Sequence, residues 1–140
     1  MLKPLAIAPF LIAAISCFSG CHTREAAESQ FLGTWHADVP CIDCTIDYTF
    51  LPDHTVIWSG DGMEGYIAAT RAKWFLDYKR ILFRWKDDDG DHLSVMNIKD
   101  VTPDKITVAL GEVSFTLTRS KTLTPEYIEG LYRAHIAETK

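Results

Sequence analysis

Long apolar stretches are missing from this 140-residue chain. The longest, Leu5 to Ile15, runs for about eleven residues, well short of the ~20 that a helix needs to cross a bilayer. That disfavours a transmembrane helix. Positive charge is also scarce, with 14 Lys and Arg against 19 Asp and Glu and a formal net charge of −5. Nucleic-acid binding needs a basic footprint that this balance does not supply. The same balance argues against broad attraction to anionic lipid headgroups. Catalytic signatures are missing too. The five histidines, His22, His36, His54, His92 and His135, form no His-x-x-x-His or His-Glu pattern. No Gly-rich phosphate loop, nucleophile elbow or paired-carboxylate constellation is present either. The chain is therefore expected not to be an enzyme. Cysteine is limited to four, Cys17, Cys21, Cys41 and Cys44.

The first thirty residues carry an address. Lys3 supplies one positive charge, Leu5 to Ile15 an apolar run, and Ser16 to Gly20 a small, polar end. That order is a secretory signal. Phe18-Ser19-Gly20-Cys21 resembles the lipobox of bacterial lipoproteins, with Phe18 where that motif normally has Leu. The resemblance implies cleavage before Cys21, a diacylglycerol on its thiol and a further acyl chain, such as palmitate, on its freed amine. Two anchoring signals already give stable attachment. Cys17, after Ala14-Ile15-Ser16, is a second candidate, and an unlipidated secreted protein cut near the same place is the plainer alternative. His22 stands where an inner-membrane retention signal would place Asp, so the expected location is the outer membrane, facing the periplasm. Residues 1–20 are thus expected to be a signal peptide and residues 21–30 a lipidated tether. Losing residues 1–20 removes one lysine and no acid, so the mature chain is more acidic still.

Residues 31–140 are expected to form one domain, long enough for a single core. Their pattern is period two. Gly33–Asp38, Thr45–Phe50, Thr55–Trp58, Tyr66–Leu76, Arg80–Lys86, His92–Ile98, Lys105–Leu110 and Val113–Arg119 alternate apolar and polar residues. Leu51-Pro52-Asp53-His54, Asp89-Gly90 and Gly111-Glu112 are turn signals between them. Ser59 to Gly65 holds three glycines and is expected to be a loop. About eight short strands without intervening helices predict an all-β antiparallel meander, closed as a barrel or folded as a sandwich. Closure removes exposed edges. At the end, Thr124 caps, Pro125 starts and Leu123 staples onto Ile128 of a helix. Ile128, Leu131, Tyr132 and His135 recur at helical spacing, so this helix should cover one mouth or side of the sheet, weakened at Gly130.

Two family resemblances follow from these residues. Phe31-Leu32-Gly33-Thr34-Trp35, Lys73-Trp74-Phe75-Leu76 and Leu117-Thr118-Arg119 are similar to small bacterial lipocalin-like barrels. The resemblance implies that Trp35 plugs the closed end of the barrel and Arg119 packs over it, both as structural residues. Val39-Pro40-Cys41-Ile42-Asp43-Cys44-Thr45, running on to Asp53-His54-Thr55, resembles the N-terminal domain of the copper-resistance and envelope-stress-sensing outer-membrane lipoproteins. That family has Leu where this chain has Val39, and Gly where it has His54. Histidine visits the left-handed region more readily than most side chains.

Cys41 and Cys44 are the residues with the most chemistry. A four-residue turn brings its end Cα atoms within ~7 Å, compatible with a disulfide in an oxidising compartment. Held reduced, the pair would suit copper or zinc, with His36 as a possible third ligand and Met63 or Met96 as a source of thioether sulfur. A redox or chaperone activity would need a thiol of depressed pKa at a helix N-terminus, whereas a strand follows here. Asp87 to Asp91 lacks the spacing of a calcium loop, since Met96 falls where the Glu belongs, and is a solvated hairpin tip. Trp35, Trp58, Trp74 and Trp85 are expected mostly in the core, although an eight-stranded barrel is wide enough to hold one small ligand. The expected function is a non-enzymatic, membrane-anchored binding or sensing module for a small apolar ligand, a metal ion or an envelope partner. The alternative is an inhibitor or interaction lipoprotein that acts through Ser59–Gly65, with Cys41–Cys44 only a structural disulfide.

Overall fold

The computed structural model describes residues 27–40, 45–62 and 65–138. Cys21, Cys41, Cys44 and Met63 lie outside the described residues. Residues 27–31 belong to a compact unit of their own, a helical turn in which the Gln30 and Phe31 N–H groups donate to Ala27 and Glu28 carbonyls. The second unit, Leu32–Lys140, is a closed antiparallel barrel of eight strands joined in sequence order. They are β1 (Gly33–Asp38), β2 (Ile46–Phe50), β3 (Thr55–Gly62), β4 (Gly65–Asp77), β5 (Arg80–Asp87), β6 (Gly90–Val101), β7 (Lys105–Leu110) and β8 (Val113–Arg119). Pairing of β1 with β8 closes the ring.

Alternation decides what fills the barrel. Trp35, Phe50, Val56, Trp74, Ile81, Phe83, Met96, Ile106, Val108 and Leu117 all point inward and are essentially inaccessible. Trp74 packs edge-on to Phe50 at 5.1 Å, and its indole N–H donates to the Leu51 carbonyl. Trp35 and Trp74 thus fill the core. The turn at Leu51–His54 works as its residues suggest: His54 sits at φ 62°, and its ring stacks on Phe75.

The expected Ser59–Gly65 loop is strand at each of its described residues, Met63 and Glu64 lying outside them. Ser59 to Gly62 continue β3, and Gly65 opens β4 directly across from Gly62. Of the glycines that signalled a loop, Gly65 does use its backbone freedom, at φ 114°, but Gly60 answers a close approach. A Cβ on Gly60 would meet the Thr45 carbonyl oxygen at 2.0 Å, so no side chain fits between β3 and the start of β2.

Helix α1 (Pro125–Glu138) begins where its cap places it, with the Tyr127 N–H donating to Thr124 Oγ1 at 3.2 Å. Of the two positions open to it, α1 takes the side of the barrel, against β2, β3 and mainly β4. Outward-facing Ile57 and Ala68 meet Ile128 and Leu51 in a second small core, joined by Tyr66, Leu131 and Tyr132. The sheet under the helix is therefore apolar on both faces.

Candidate ligand cavity

One end of the barrel is not filled. A cavity of about 430 Å³ opens there, walled by inward residues of β2 to β7. Ile46, Tyr48, Trp58, Ile67, Phe83, Met96 and Leu110 supply an apolar lining, while Thr45, Ser59, Gly60, Asp61 and Ser94 add polar groups. This size is typical of small-ligand sites, which combine an apolar wall with a few polar groups.

The wall is aromatic. Trp58 packs edge-on to Tyr48 at 6.3 Å, Phe83 at 5.8 Å and Trp85 at 5.0 Å, and Trp85 stacks on His92. Such a set holds its shape, because each ring is braced by the next. Burial raises the Tyr48 phenol above its ordinary range, so it remains neutral. Trp58 Nε1 is buried with no hydrogen-bond partner among the described residues. An unmet buried donor costs about 1–3 kcal/mol. Tyr48, Phe83 and Trp85 close around it, so it is shielded from the cavity.

A second polar cluster lies on the outer face of β1 to β4. The Asp47 side chain is 2% exposed and takes a hydrogen bond on each oxygen. His36 Nδ1 lies 3.0 Å from one, and the Tyr66 hydroxyl donates to the other at 2.5 Å. With its proton given to Asp47, Tyr66 accepts from Ser59 Oγ at 2.7 Å. Burial, and then the Asp47 carboxylate, push the Tyr66 phenol well above its usual range.

His36 therefore faces away from the cavity and is engaged by Asp47. Met96, by contrast, lines the cavity wall. Among the described residues no three His, Cys, Asp or Glu side chains are grouped to hold a metal. Cys41 and Cys44 fall outside the described residues, and the chain re-enters at Thr45 on the cavity rim. At the hairpin tip, Asp87 accepts from His92 and from the Asp89 N–H, and the His92 bond leads the effects that lower its carboxyl pKa. This is turn chemistry and not a cation loop. Arg119 lies 4.2 Å over the Trp35 ring, towards the barrel end opposite the cavity. No described helix is long and apolar enough to cross a membrane.

The fold and its open end define a small cup-shaped β-barrel. Comparisons of the chain with protein-family models, curated proteins and solved structures gave no match. Sequence reasoning did not find the Asp47 cluster or the Trp58 donor. Asp47 at an outward strand position was the only trace of the first. The second depends on which rings surround Trp58.

Proposed function

We propose that this chain is a lipid-anchored envelope protein, attached through Cys21 to the outer membrane, whose barrel binds a small, mainly apolar ligand. It is a binding or sensing module, without catalysis. The observation that carries this reading is an aromatic-walled cavity of about 430 Å³ at the open end of the barrel. The apolar lining favours partition of a hydrocarbon or ring system out of water at about 25 cal/mol per Å² buried. An inhibitor role through Ser59–Gly65 has less support, because Ser59 to Gly62 are paired strand. Copper or zinc at Cys41 and Cys44 would find only Nε2 of His36 open, since Nδ1 is held by Asp47.

Calorimetric titration of the full protein with dodecanoic acid and with N-phenyl-1-naphthylamine tests the cavity. Both should bind. Ile67→Trp, which fills the rim, should abolish both. Binding that ignores Ile67→Trp would place the ligand elsewhere and sink the proposal. The anchor has its own readout: the intact mass of the membrane-extracted protein should show a chain starting at acylated Cys21.

A further inference from the structure

The barrel wall parts between β4 and β5. Their ladder runs from Asp77↔Arg80 only as far as Lys73↔Arg84. Beyond that point β4 continues alone with β3 as far as Gly62↔Gly65, and β5 alone with β6 as far as Asp87↔Gly90. A groove of about 410 Å³ opens at this fork, roofed on one side by Tyr132 of α1.

Four cations surround it. Arg71 and Lys73 come from β4, Arg84 and Lys86 from β5. Residues two apart on a strand share a face, so each pair projects together. Lys73 stands directly opposite Arg84 across the ladder, an arrangement that destabilises a sheet unless something offsets it. The acids nearby are fewer. Asp91 is in register with Lys86 and lines the groove, and Asp53 lies 3.8 Å from Arg71. Lys73, Arg84 and Lys86 form no ion pair among the described residues. Four positive charges therefore face two negative ones in a chain whose net charge is −5.

The site is also partly built. The Arg71 guanidinium leans on the Tyr132 ring at 5.8 Å and points an N–H at Thr55 Oγ1 at 3.5 Å, which limits its rotamers. The local field reaches Asp53. Desolvation raises its carboxyl pKa, yet the Thr55 bonds and the charges of Lys73 and Arg71 hold it below the ordinary value.

We infer that the fork between β4 and β5 binds a phosphate-bearing anion, held by Arg71 and Arg84 as forked donors and by Lys73 and Lys86 as point charges. Two guanidinium groups match phosphate oxygens in pairs, and ammonium groups add unspecific attraction. The negative charge of a bound phosphate group would offset the surplus of positive charge and relieve the Lys73–Arg84 opposition. The ligand could be a free phosphate or the headgroup of an anionic lipid, and both present the same chemistry. This site is separate from the barrel cavity and does not depend on what that cavity binds.

Calorimetry on the full protein at low ionic strength distinguishes the sources. The probes are inorganic pyrophosphate and dihexanoyl phosphatidylglycerol, the latter kept below its micellar concentration. Binding of pyrophosphate assigns a free phosphate, and binding of the short-chain lipid alone assigns a headgroup. In either case affinity should fall at least tenfold in the Arg84→Gln/Lys86→Gln variant and fall steeply with added salt. Lys73→Gln is a second, independent variant and should weaken binding in the same direction. Both should keep the circular-dichroism spectrum, and their unfolding midpoints should equal or exceed that of the parent, because like-charge repulsion is removed. No binding of either probe, or binding unchanged in both variants, overturns the inference.

Discussion

Replacing Trp35 with alanine is expected to destabilise the barrel by about 3–5 kcal/mol, the range for emptying a large buried aromatic site. Trp35 is fully buried and pairs with Arg119 across the β1–β8 ladder that closes the ring. The Arg119 guanidinium lies 4.2 Å over its ring. From there Nη1 donates to the Leu32 carbonyl at 2.7 Å and Nε to the Pro103 carbonyl at 3.0 Å. One side chain thus ties the lead into β1 to the turn between β6 and β7. Gly33, at φ 110°, keeps room for it, since a Cβ there would sit 3.0 Å from Nη1. Arg119→Lys should cost about 1.5–3 kcal/mol, because a single ammonium cannot serve both carbonyls and lie flat on the indole. The two substitutions should be strongly non-additive, with a coupling energy of about 1 kcal/mol or more. Urea unfolding of both single variants and the Trp35→Ala/Arg119→Lys double variant measures this. Simple additivity would mean that Arg119 acts independently of Trp35.

The strands that pair locally were legible in the sequence. Val113–Arg119, Lys105–Leu110 and Arg80–Lys86 each alternate cleanly between strong turn signals, and the barrel has them within a residue of the expected bounds. The cap at Thr124 and Pro125 was equally plain, because capping is a matter of a few adjacent residues. Ser59–Gly65 misled because glycine marks two different needs. A loop uses its backbone freedom, whereas Gly60 is there because the Thr45 carbonyl passes where a side chain would stand. Nothing within the local window separates the two. The same limit hides the fork between β4 and β5. Four cations spread over residues 71 to 86 look like ordinary solvated positions until register sets Lys73 against Arg84. The unpartnered Trp58 donor likewise exists only once Tyr48, Phe83 and Trp85 have closed around it.

Tyr66→Phe is expected to cost about 1.5–3 kcal/mol at neutral pH, the value of a hydrogen bond to a charged group. The carboxylate it serves is almost wholly buried, so water does not replace the lost donor. Ser59 does not replace it directly either, because its hydroxyl reaches Asp47 only through the Tyr66 oxygen. The pH dependence gives the assignment a second, sharper signature. Burial and the neighbouring carboxylate raise the folded-state pKa of Tyr66 above its unfolded value of about 10. For a raised pKa, the stabilisation is fully present below the unfolded value and is lost as pH rises through the folded one. The wild-type advantage over Tyr66→Phe should therefore be constant from about pH 7 to 9 and shrink above about pH 10. Tyr48, also raised by burial, titrates in both proteins and cancels in the difference. Urea unfolding at several pH values between 7 and 11 makes the comparison. A difference that persists undiminished at the alkaline end would show that the Tyr66 proton is not what holds Asp47, and that the variant's cost comes from packing against α1 instead.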